Sequence, residues 1–71
     1  MSAFAGLFDT LEQIAVEKWR VTPSIHWDYY PNADLPHRWR CFLGGVPGES
    51  VYAKGESGEQ SLRFLVEKLS K

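Results

Sequence analysis

Seventy-one residues make a single domain, and eight Lys and Arg against nine Asp and Glu leave a net charge of −1, which excludes a nucleic-acid binder that works by bulk positive charge. A chain this short buries only about 60% of its unfolded surface on folding, so the core is small. The composition is that of a globular protein, 44% hydrophobic and 24% charged, and its one cysteine, Cys41, excludes an internal disulfide, leaving three Trp, three Tyr and four Phe to supply bulk.

At the N-terminus the apolar run from Ala3 to Phe8 has no basic residue before it and is interrupted by Asp9 and Glu12. That pattern fits neither a secretory leader nor the roughly 20 apolar residues of a membrane span. With no long like-charge block, the expectation is a reduced cytoplasmic domain.

Phe4, Leu7, Phe8, Leu11, Ile14 and Ala15 recur at helical spacing and predict a first helix over 3–20. Ser2 is its candidate cap, Lys18 and Arg20 suit its C-terminal dipole, and Pro23 stops it. Ser24 to Tyr30 alternates, Ile25, Trp27 and Tyr29 against His26, Asp28 and Tyr30, and predicts a half-buried strand. A loop with Pro31, Asn32, Asp34 and Pro36 leads to a second strand from Arg38 to Leu43, with Trp39, Cys41 and Leu43 inward. After Gly44, Gly45, Pro47 and Gly48 a third strand is predicted from Glu49 to Lys54, with Val51 and Ala53 sharing a face. Ser57 and Gln60 form a capping box before the stripe Leu62, Leu65, Val66 and Leu69, with Lys68 and Lys71 at the favourable end. The expected fold class is α+β, in the order α-β-β-β-α: a three-stranded antiparallel sheet with two helices on one face.

This layout, with three local strings, resembles the double-stranded-RNA-binding domain family over nearly the whole chain, 1–71. Pro23 matches the family's Pro before the first strand. Leu35, Pro36 and His37 look like its Gly-Pro-x-His turn, although Leu35 stands for the glycine and the spacer is absent. Ala53 to Ser57 looks like its Gly-x-Gly-x-Ser. The resemblance implies a histidine, His37, on the RNA minor-groove side. The family's Ser-Lys-Lys-x-Ala-Lys, whose lysines straddle phosphates across the major groove, reads here Ser57, Gly58, Glu59, Gln60, Ser61 and Leu62. All three lysines are missing, and the carboxylate of Glu59 occupies the helix start that would attract a phosphate. The resemblance is to a degenerate member, of a kind that often mediates protein contacts.

Other chemistry finds little footing. His37 and Cys41 lie four residues apart, roughly 13 Å along a strand, too far to share a metal for which His26 is the only other soft ligand. Cys41 shares a face with Trp39 and Leu43 and reads as a small apolar filler rather than a nucleophile. No nucleophile elbow, phosphate loop or carboxylate pair is present, so no enzyme activity, cofactor, metal or small-molecule substrate is expected. Trp27, Tyr29 and Trp39 read as core.

Two functions from different classes remain. One is a protein-interaction module, self-associating or docking a partner through the open sheet face or a strand edge, with His26, Tyr30, Arg38, Arg40, Phe42 and Tyr52 as interface candidates beside Asp28 and Lys54. Aromatics with arginine are the composition of interface hot spots and equally of base-stacking platforms, set against the plainer possibility of a solvated mixed face. The other is weak, shape-specific binding of double-stranded or structured RNA through Thr10, Gln13, His37, Lys54, Ser57 and Arg63, with His37 as a solvated loop residue its plainer alternative.

Overall fold

The computed structural model describes residues 3–47 and 51–70. In chain order it has α1 (Ala3–Trp19), β1 (Ser24–Tyr29), a short 3-10 turn (Leu35–His37), β2 (Trp39–Gly44), β3 (Val51–Gly55) and α2 (Gly58–Leu69). The class is α+β and the order α-β-β-β-α, as the hydrophobic patterns predict. Ser2, Gly48, Glu49, Lys71 and the side chain of Phe4, all used in those patterns, lie outside the described residues.

The sheet is an antiparallel meander, β1-β2-β3, in which side chains fall into cross-strand rows. On the inner face the rows are Ile25, Leu43 and Val51, then Trp27, Cys41 and Ala53, then Tyr29, Trp39 and Gly55. The intervening rows, His26, Phe42 and Tyr52, then Asp28, Arg40 and Lys54, face the other way. Both helices cover the inner face. Leu11 of α1, Cys41 and Leu43 of β2, and Leu62 and Leu65 of α2 form one buried cluster, against which Ile25, Trp27, Val51, Ala53, Val66 and Leu69 pack. Trp27 binds the layers together: its ring meets Phe8 edge-on at 5.9 Å, and its indole N–H donates to the Gly58 carbonyl at 3.0 Å.

Several local expectations are corrected. The first helix stops at Trp19, and Arg20 takes a left-handed conformation at φ 60° while its N–H donates to the Val16 carbonyl. That i→i−4 bond satisfies a terminal carbonyl, and the left-handed turn at Arg20 ends the helix before Pro23 can. Tyr29 is not core but 52% exposed, because its row lies at the end of the sheet; its ring rests on Trp39 with centroids 4.8 Å apart. The second strand starts at Trp39 rather than Arg38, and the third runs on to Gly55. In the capping box, Ser57 accepts from the Gln60 N–H at 3.0 Å as expected, but the Gln60 side chain reaches back to the N–H of Glu56, not of Ser57, at 2.7 Å.

Gly55 has a packing reason. A Cβ there would stand 2.6 Å from the Ser61 backbone nitrogen, so β3 and the first turn of α2 approach as closely as they do only because position 55 has no side chain. Buried Ser61 hands its own hydroxyl to the Gly58 carbonyl at 2.8 Å.

Candidate functional site

Among the described residues no helix covers the outer face of the sheet, and its two central rows differ in chemistry. Across the first row the His26 and Phe42 rings stack at 5.0 Å and 3°, and Phe42 and Tyr52 at 5.3 Å and 28°. The result is a continuous aromatic strip over all three strands. In the second row the Arg40 guanidinium lies over the Tyr30 ring at 4.5 Å and within 5.9 Å of the Tyr52 ring. Asp28, its cross-strand neighbour, accepts instead from the Tyr30 hydroxyl at 3.3 Å. Arg40 thus sits between two tyrosines with its Nε buried and without a hydrogen-bond partner. A stacked guanidinium loses little entropy on contact, and its terminal N–H fork can meet a planar anion in two bonds at once.

Of the six interface candidates the structure brings five together: His26, Phe42 and Tyr52 in the strip, Tyr30 and Arg40 beside it. Arg38 departs, because its Nε donates to the Ala33 carbonyl at 3.1 Å and the half-buried side chain braces the β1–β2 loop.

The six RNA candidates are dispersed among local tasks. Thr10 donates to the Gly6 carbonyl at 2.9 Å, and the Gln13 amide donates to Glu17 at 3.2 Å, both within α1. Ser57 is spent on the helix cap, and Arg63 pairs with Glu59 at 3.4 Å. Only His37 and Lys54 share a place, both lining a groove of about 530 Å³ with Pro36, Tyr52, Ala53, Phe64 and Lys68. Cys41 is fully buried, and burial pushes its thiol up to about 11, which disfavours the thiolate a nucleophile or a metal ligand must supply.

Sequence reasoning missed Phe64 and Lys68. Phe64 falls outside the apolar stripe of α2 and is 42% exposed, while Lys68 crosses to the Tyr52 carbonyl at 3.1 Å. Phe64 is an exposed aromatic off the stripe, a signal visible in the sequence; the reach of Lys68 depends on how α2 crosses β3 and is not.

No helix among the described residues is long and apolar enough to cross a membrane. No protein-family model matches the chain, and comparison with curated proteins and with solved structures gave no match either.

Proposed function

We propose that this chain is a small, non-catalytic cytoplasmic module of double-stranded-RNA-binding type that docks a protein, either a partner or a second copy, through the outer face of its sheet. The observation that carries this is Arg40, held between Tyr30 and Tyr52 beside the aromatic strip with one donor buried and unpartnered. The terminal N–H fork of that guanidinium can meet a partner carboxylate in two bonds at once. Tyrosine and arginine are also the residues in which interface energy concentrates.

Weak binding of duplex RNA is the second reading, supported by His37 and Lys54 lining one groove. Against it, Glu59 stands in the first turn of α2 and takes up Arg63, so the end of the helix that would meet phosphates presents a neutralised pair.

The test is Arg40→Glu combined with Phe42→Ser. Both side chains are on the uncovered face, so the fold is expected to persist by circular dichroism. Sedimentation should lose any self-association of the wild type, and affinity capture should lose its protein partner. Unchanged behaviour in both measurements would show that the interface lies elsewhere.

A further inference from the structure

Beyond the outer face, the open edge of β3 has its own chemistry. β3 ends the sheet, and the Tyr52 carbonyl, which accepts from Lys68, points away from β2. In an antiparallel strand the N–H of a residue points the same way as its carbonyl, and the direction alternates, so Tyr52 and Lys54 both turn their peptide groups to the open side. An unpaired row of this kind is a template for another strand. Here it borders the groove whose walls are the 3-10 turn, with Pro36 and His37, and α2, with Phe64 and Lys68.

Two lysines, Lys54 and Lys68, line the groove beside this edge. Among the described residues neither Lys54 nor Lys68 has a carboxylate within ion-pair distance, the one ion pair being Arg63 with Glu59. Lys54 and Lys68 are therefore two cations without an ion-pair partner beside this edge, in a chain whose net charge is −1. The Lys68 ammonium, on a long exposed stem and 5.6 Å from the Tyr52 ring, fills the position that the N–H of an added strand would take.

We propose that the β3 edge binds an extended acidic segment of a partner protein by strand addition, with acidic and apolar residues alternating. The incoming N–H displaces Lys68 from the Tyr52 carbonyl, freeing its ammonium for a carboxylate. Alternate side chains of an added strand point to opposite faces, so apolar ones reach exposed Phe64 on the α2 side while acidic ones meet Lys54 on the outer side. This site shares Tyr52 with the aromatic strip but uses its backbone edge rather than its ring, so it stands or falls separately from the strip.

The probe is a synthetic octapeptide of alternating Glu and Val, titrated into the isotope-labelled chain and compared with a Lys and Val counterpart. The Glu peptide should shift the amides of Tyr52, Ala53, Lys54 and His37 and slow solvent exchange at Tyr52 and Lys54, while the Lys peptide should not. Methylating the edge-facing nitrogens of the Glu peptide keeps its charge but removes the ladder bonds, and should weaken binding by roughly tenfold or more. Lys54→Glu with Lys68→Glu should reverse the preference between the two peptides. The methylated peptide tests the wild-type chain even where that variant fails to fold. Equal binding of the methylated peptide, shifts confined to His26 and Phe42, or a short RNA duplex moving the edge amides when the Glu peptide does not would each overturn the proposal.

Discussion

At the residue scale, Cys41 shows how burial becomes a pH dependence. Its thiol rises from an ordinary 9.0 to about 11 because desolvation penalises the thiolate. As pH climbs, the unfolded chain releases this proton first. Stability from this group is therefore intact below pH 9 and declines between 9 and 11, by at most about 1.4 kcal/mol per pH unit. Denaturant unfolding of the wild type beside Cys41→Ala isolates the effect, since other groups titrate in both. The wild type should lose more stability across that window; equal losses would mean a solvated thiol. Gly55 makes a second residue-scale case. Gly55→Ala forces a methyl against the Ser61 nitrogen and should cost about 1–3 kcal/mol, read as a fall in the unfolding midpoint. A midpoint that does not move would show that β3 and α2 can separate freely.

At the element scale, what the sequence reveals depends on how local the cause is. The stripe Leu62, Leu65, Val66 and Leu69 and the alternation through Cys41 and Leu43 have fixed periods, so the helices, the strands and their inner faces were legible before any coordinates. Tyr29 was not, since alternation tells which face a residue takes but not how far along the sheet the helices reach. The turn at Leu35–His37 was missed because three residues carry no period, and the capture of Arg38 by the Ala33 carbonyl is set by a loop path with no local signal. The cap of α2 was half legible: Ser57 plays its part, and Gln60 overshoots by one residue to Glu56. Because two donors are satisfied by two side chains, Ser57→Ala should cost about 1 kcal/mol. In a domain of this size that lowers the melting midpoint by about 4–8 °C, and Gln60→Ala should cost a further, smaller amount. No change on Ser57→Ala would place the start of the helix elsewhere.

At the scale of the whole molecule, the two faces of the sheet divide the work. The inner face spends its side chains on a small core that holds the helices, and the outer face presents aromatic rings with a stacked arginine to whatever approaches. The candidate site was legible as a set of outward positions from alternation alone. Its internal order, Arg40 over Tyr30 and the stack from His26 to Tyr52, needed the register of all three strands. The central claim is that contacts with protein, rather than with an RNA duplex, are what this scaffold is built to make. A titration of a short RNA duplex with the wild-type chain at two salt concentrations tests it most directly. Each neutralised phosphate steepens the salt dependence, and with Arg63 paired to Glu59 only about two or three cationic contacts remain. The expected result is affinity no tighter than tens of micromolar, on the order of non-specific binding, with a shallow salt slope. Submicromolar binding with a steep salt slope would contradict the account.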